Sequence, residues 1–140
     1  LNNMFQSTTK VRVRYAETDQ MGYCYYGNYA QYYEVARVEA LRSLGISYKN
    51  LEAQGYLLPV SDFSIKYILP AFYDEELSVK CTIYELTNFK IKFKYEIHNS
   101  NGDLLNFGNT TLVFVDKETK KPVNCPDFLN NKLLKFIHEK

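Results

Sequence analysis

Asp19 is the residue in this chain whose type and setting suggest chemistry. It lies in Tyr15–Gly45, read Y-A-E-T-D-Q-M-G-Y-C-Y-Y-G-N-Y-A-Q-Y-Y-E-V-A-R-V-E-A-L-R-S-L-G. An acidic, glycine-containing turn leads into an aromatic run and then a long amphipathic stretch. The carboxylate falls just before a helix begins. There the helix dipole favours negative charge, and the first backbone N–H groups lack intrahelical acceptors and can bind an anion. A carboxylate beside unpaired amide donors suggests a catalytic site, although Asp also caps turns and helices without any such role. Cys24 shares the stretch, but no histidine lies near it in sequence to activate it, so a small buried apolar filler is the expectation. His98 and His138 are the two histidines of the chain, and no His/Cys metal site is expected from them.

The elements that must position this stretch follow from periodicity. Lys10–Tyr15 alternates, with Val11, Val13 and Tyr15 facing one way and Lys10, Arg12 and Arg14 the other, which predicts a half-buried strand. Residues 1–9 are polar and expected to be loose. The turn Glu17–Gly22 breaks the strand, and Gly22 can supply a backbone angle that other residues resist. Gly27–Leu44 puts Tyr29, Tyr32, Tyr33, Ala36, Ala40, Leu41 and Leu44 on one apolar stripe, with Gln31, Glu34, Arg37, Glu39 and Arg42 covering most of the remainder. Asn28 suits the N-cap of that helix and Gly45 its stop. Ser47 caps a second, shorter helix that Gly55 ends. Four strands are predicted to follow: Leu58–Leu69, closed by Pro70; Leu77–Tyr84; Phe89–His98; and Leu104–Asp116. The last two are joined by an Asn-Gly hairpin over Asn99–Asp103. Pro126 opens a short helix to Ile137. A helix with a wide apolar stripe and a sheet with a matching apolar face bury each other. The fold class is therefore α+β, a long central helix across the concave face of a curled antiparallel sheet.

Composition removes several function classes. A length of 140 residues predicts one domain over 1–140 with a real core. A net charge of +1 gives no global field for nucleic acid or an anionic membrane. Lys90, Lys92 and Lys94 alternate along one strand, so they read as a solvated sheet face. The three cysteines are widely spaced and form no C-x-x-C pair, which fits a reducing, cytoplasmic location. No signal peptide is evident, and no apolar run approaches the roughly 18 residues that span a bilayer. Tyrosine is in excess, 13 residues against 9 Phe and no Trp, which favours half-buried strands or a wide subunit interface.

Tyr15-x-Glu17-Thr18-Asp19-x-x-Gly22-x-x-Tyr25-x-x-Asn28-Tyr29, followed by Tyr32-Tyr33-Glu34-x-Ala36-Arg37, resembles the hotdog-fold acyl-CoA thioesterases. The branches it is most similar to are the 4-hydroxybenzoyl-CoA thioesterase type and the bacterial Tol-Pal-associated type. The resemblance continues through Leu69-Pro70-Ala71, Tyr73-Asp74-Glu75, Asn101-Gly102, Val113-Phe114-Val115-Asp116 and Lys121-Pro122-Val123, covering roughly positions 10 to 130 in register. It implies a hotdog fold and a thioester hydrolase that needs no cofactor. The family's catalytic carboxylate falls on Asp19, as nucleophile or as general base on water. The backbone N–H around Tyr25, where the helix begins, would hold the oxyanion.

Tyr26 stands where many members of the Tol-Pal-associated branch have histidine. A tyrosine there can donate a hydrogen bond but is a poor base at neutral pH. Gly22, Asn28, Ser61 and Lys90 are the substrate-binding candidates. Asn28 also suits a helix cap and Ser61 an ordinary sheet hydroxyl. Lys90 stands nearest the place of the basic cluster that binds nucleotide phosphates in the 4-hydroxybenzoyl type. The resemblance further implies a homodimer or homotetramer with each active site at a subunit interface. The substrate would be an acyl-CoA or, by the same pantetheine chemistry, an acyl carrier protein. A non-catalytic acyl-CoA- or protein-binding hotdog module is the alternative from another class.

Overall fold

The alternation of Ile91, Phe93, Tyr95 and Ile97 against charged residues puts a strand at the centre of the structure, with those four side chains in the core. The computed structural model describes residues 5–138. Their main sheet has five antiparallel strands: β1 (Phe5–Arg12), β3 (Val60–Tyr67), β4 (Glu76–Leu86), β5 (Lys90–His98) and β6 (Leu104–Val113). They lie in the order β1-β4-β5-β6-β3. A two-stranded ribbon pairs β2 (Tyr56–Leu57) with β7 (Val115–Asp116). The helices are α1 (Tyr29–Ser43), α2 (Tyr48–Ala53) and α3 (Asp127–His138).

The inner sheet face is built from Leu77, Val79, Cys81 and Ile83 of β4 with the four β5 side chains, all buried, and α1 packs across it. The predicted stripe is the buried one: Tyr29, Tyr32, Tyr33, Ala36, Ala40, Leu41 and Leu44 all face inward. Tyr33 anchors the contact, its ring stacked on that of Tyr95 at 4.2 Å between centroids. Gly108 of β6 makes room for it, since a Cβ there would lie 2.9 Å from the Tyr33 ring and 2.3 Å from the Ser64 carbonyl oxygen. The outer face carries the lysines. Lys92 lies 3.4 Å from Glu85 and Lys80 lies 3.8 Å from Glu96, consistent with a solvated charged surface.

Helix α1 ends as expected of its glycine. Gly45 has φ +80°, and its N–H reaches the Arg42 carbonyl at 2.9 Å while that of Ile46 reaches Leu41 at 2.9 Å. This is the paired bonding that satisfies the last carbonyls of a helix. Ser47 caps α2, its Oγ accepting the Asn50 N–H at 3.1 Å.

Four expectations change. Phe5–Thr9 is not loose: it is the first part of β1, in register with β4 from Phe5 opposite Ile83 to Arg12 opposite Glu76. Residues 1–4 lie outside the described residues. Strand β1 ends at Arg12, so Tyr15 does not share a face with Val11 and Val13; it opens a 3₁₀ turn and is 78% exposed. The helix predicted from Gly27 begins with a 3₁₀ turn over Tyr26–Asn28, and α1 proper starts at Tyr29. Arg37 is not on the polar face. It is 5% exposed, donating through Nε to the Tyr48 hydroxyl at 2.8 Å and through Nη1 to the Tyr95 hydroxyl at 3.1 Å. Phenol oxygens accept those bonds as readily as water does, which is why the guanidinium can sit under the helix. Its Nη2 keeps Glu34 at 4.0 Å, the pairing expected of residues three apart.

Candidate active site

Strand β1 delivers the chain to the loop that carries Asp19, and Glu17 fixes the loop's shape. Glu17 Oε1 accepts the Arg14 N–H at 2.9 Å and the Tyr32 hydroxyl at 2.8 Å, while Oε2 takes the Arg14 guanidinium at 3.1 Å. Its backbone carbonyl accepts the Tyr25 N–H at 2.8 Å and the Asn28 Nδ2 at 2.8 Å. Burial works to raise the Glu17 carboxyl, but the hydrogen bonds from Arg14 and Tyr32 outweigh it and hold the group below its usual 4.5. A carboxyl lowered on folding contributes stability that is complete above its unfolded pKa and is lost as pH falls through the lower folded value. Thermal unfolding followed from pH 6 downward should therefore show a loss of stability setting in below about pH 4.5, and Glu17→Gln should flatten that part of the profile.

Asp19 then opens a tight turn. Its carbonyl accepts the Gly22 N–H at 3.0 Å and its own N–H donates to the Tyr23 carbonyl at 2.8 Å. Gly22 adopts φ +80°, the left-handed region where a side chain is strained. No atom lies within 4 Å of where its Cβ would be, so backbone angle, not space, demands the glycine. The Asp19 side chain folds back over this turn, Oδ1 accepting the Met21 N–H at 2.9 Å and the Tyr23 N–H at 3.2 Å. Oδ2 has no protein donor among the described residues, so half of the carboxylate is positioned by the loop and half is available.

The helix start supplies the donors, shifted by one residue from expectation. The Tyr25 N–H is committed to Glu17. Those of Tyr26 and Gly27 begin the 3₁₀ turn and have no protein acceptor among the described residues. Asn28 does not cap α1 through its side chain; that side chain reaches back to the Glu17 carbonyl and pins the helix start to the acidic loop.

Asp19 and Tyr26 line one cavity of about 250 Å³ together with Cys24, Tyr29, Tyr67 and Ile68. This volume suits an acyl group, not a whole coenzyme. Burial, the largest influence on the Cys24 thiol, pushes it up, so it is a neutral, buried wall residue as expected, not a thiolate. Burial likewise pushes the Tyr29 hydroxyl up to about 12, which keeps it a hydrogen-bonding group and not a base.

Two candidates stand apart from this cavity. Ser61 is at the far end of β3, donating to the Thr111 carbonyl at 3.2 Å; six residues of strand, about 20 Å, separate it from Tyr67. Lys90 opens β5 opposite Val113, at that same far end. Within one chain, neither reaches Asp19. Glu17 is the residue whose role the sequence reading left out. Its signal was available in Arg14-x-x-Glu17, a basic and an acidic residue three apart at the end of a strand.

A family model described as the thioesterase-like superfamily matches residues 13–133. The protein YneP of Bacillus subtilis is 39% identical over 120 residues, spanning 86% of this chain and 87% of that one. The acyl-CoA thioester hydrolase YbgC of Escherichia coli O157:H7 is 33% identical over 116 residues, spanning 83% and 87%. The structure of DHNA-CoA thioesterase from Staphylococcus aureus matches with a TM-score of 0.88 at 35% identity, covering 96% of this chain and 91% of that one. The chain belongs to the thioesterase-like superfamily, and its architecture is the hotdog fold expected from the sequence.

Proposed function

We propose that this protein hydrolyses acyl-CoA thioesters, with Asp19 as the catalytic carboxylate and the free amides of Tyr26 and Gly27 as oxyanion donors. The observation that carries this reading is the shared cavity: a carboxylate with a free oxygen and an unbonded helix-start residue line the same acyl-sized apolar pocket. Water attacks the carbonyl carbon as Asp19 takes its proton, and the amides receive the charge that develops on oxygen. Collapse expels the thiolate of coenzyme A, which takes the proton back. Attack by Asp19 itself, through an anhydride that water then opens, uses the same atoms. A thioester suits so small an apparatus because its carbonyl is weakly resonance-stabilised and thiolate leaves readily.

The pocket lies beside the end of β3, an edge strand whose outer side has no strand partner among the described residues. Met21, Tyr26 and Tyr67 around it are 69%, 61% and 48% exposed, an apolar surface that calls for a cover. A second copy joined through β3 supplies one. A two-fold axis makes that pairing antiparallel, which brings Ser61 of the partner subunit and Lys90 of the partner subunit toward the end that holds Asp19. In this arrangement they take the substrate-binding roles they cannot take within one chain. Sedimentation at micromolar concentration should give a dimer or tetramer; a fully active monomer would contradict the closed site.

Coenzyme A is the carrier proposed, in a reducing cytoplasm consistent with the free thiols of Cys24, Cys81 and Cys125. Among the described residues no helix is long and apolar enough to cross a membrane. Steady-state hydrolysis of one acyl group presented on coenzyme A and on an acyl carrier protein tests the choice. The higher kcat/KM is expected for coenzyme A, and the reverse order would assign the carrier protein instead.

A further inference from the structure

Next to Tyr67, a residue of the acyl pocket's wall, the fold leaves one buried donor without a partner among the described residues. Asn106 of β6 is 0% exposed, on the sheet face that meets α1. Its Oδ1 accepts the Tyr33 hydroxyl at 2.7 Å, and its Nδ2 has no hydrogen-bond partner among the described residues. Such orphaned groups are costly and rare in native structures. The position of this one is specific. Asn106 is in register with Tyr67, with both side chains on the same face. The neighbouring Leu105 carbonyl holds the N–H groups of Ile68 at 2.8 Å and Leu69 at 3.0 Å. Tyr67, Ile68 and Leu69 form one wall of the cavity that contains Asp19. Asn106 is therefore the cross-strand neighbour of Tyr67, a residue of that wall, and is itself covered. The Tyr67 ring is half-exposed on an edge strand, in contact with the rings of Tyr26 and Tyr29 at centroid distances of 6.2 and 5.9 Å. The other orphan among the described residues, Ser7 Oγ, is on β1 at the opposite edge of the sheet.

We infer that Asn106 is a specificity-determining residue, its Nδ2 donating a hydrogen bond to an acceptor oxygen carried by an acyl group that reaches in beside Tyr67. An amide nitrogen is a donor only. A hydroxyl, an ether or a carbonyl oxygen therefore satisfies it equally, and a methyl group of the same size does not. An acyl group bearing such an oxygen relieves the orphan on binding, whereas a plain hydrocarbon seals it in.

This role presupposes the acyl-CoA reading of the pocket, so the probes are non-hydrolysable thioethers and the readout is affinity. S-phenacyl-CoA analogues carrying hydroxyl, methoxy or methyl at each ring position match the tyrosine-lined wall, and their binding is measured by calorimetry. At one ring position the wild type should bind both oxygenated probes about tenfold or more tighter than the methyl probe. The double variant Tyr33→Phe/Asn106→Leu removes both partners of the buried hydrogen bond, so that neither is left unpaired. It should bring the ratio to about one while holding the methyl probe within about threefold of its wild-type affinity. Should that protein fail to fold, Asn106→Ala removes the donor while leaving Tyr33 in place, and should lose the same ratio. Equal binding of all probes by the wild type, a ratio that survives the substitutions, or a preference for hydroxyl over methoxy would each overturn the role. Selective binding without hydrolysis of the matching thioesters would leave Asn106 in place and remove the enzymatic reading; no binding of any probe would remove both.

Discussion

Asp19→Asn is expected to lower kcat for acyl-CoA hydrolysis by about 10²–10⁴-fold while leaving the circular dichroism spectrum and Tm unchanged. The two halves of that expectation have separate causes. Asparagine keeps an Oδ1 that can accept the Met21 and Tyr23 N–H groups, which Asp19 now holds at 2.9 and 3.2 Å, so the turn retains its shape. It loses the negative charge and the basicity that water activation or nucleophilic attack requires. The substitution therefore separates the catalytic reading of Asp19 from the purely structural one, because asparagine caps a turn about as well as aspartate does. Unchanged hydrolysis in a folded variant would make Asp19 a loop residue and nothing more.

Gly108→Ala is expected to be the most damaging small change in the core, destabilising by about 3 kcal/mol and lowering Tm by about 10 °C. Gly108 is buried in β6 and does not adopt a left-handed conformation, so alanine meets no backbone penalty there. The cost comes from space. The new methyl would be 2.3 Å from a backbone oxygen, which can yield only if β3 moves away from β6, and 2.9 Å from the Tyr33 ring, which is stacked on Tyr95. Moving β3 also moves Tyr67 and Ile68, so activity should fall further than the loss of folded protein explains. Thermal unfolding of Gly108→Ala beside wild type checks this, and a Tm within about 2 °C would show that the strand pair absorbs the methyl freely.

Much of the fold was legible because burial and sequence period agree. Ile91, Phe93, Tyr95 and Ile97 alternate and are all buried; the tyrosine stripe of α1 keeps helical spacing and is buried throughout. The misplaced residues are those whose setting depends on distant partners. Arg37 looks like a surface charge from its neighbours in sequence, and is buried because Tyr48 and Tyr95 bring two phenol oxygens to it. Phe5–Thr9 looks loose because four of its five residues are polar, and is a strand because β4 offers an edge along its full length. At the candidate site, Asp19 and the start of α1 were legible as a carboxylate beside free amides. Which amides are free was not, because that depends on the Glu17 carbonyl taking the Tyr25 N–H and shifting the open donors to Tyr26 and Gly27. Ser61 and Lys90 could not be placed from sequence, since the register of β3 and β5 alone decides which end of the sheet they occupy.

Release of free thiol from a panel of acyl-CoAs by the purified wild-type protein, with Asp19→Asn run beside it, decides whether Asp19 drives hydrolysis. Catalytic turnover of at least one acyl-CoA is expected, with one free acid formed per thiol and near-complete loss in the variant. Binding of acyl-CoAs by the wild-type protein without thiol release, or equal release by the two proteins, would remove Asp19 from catalysis.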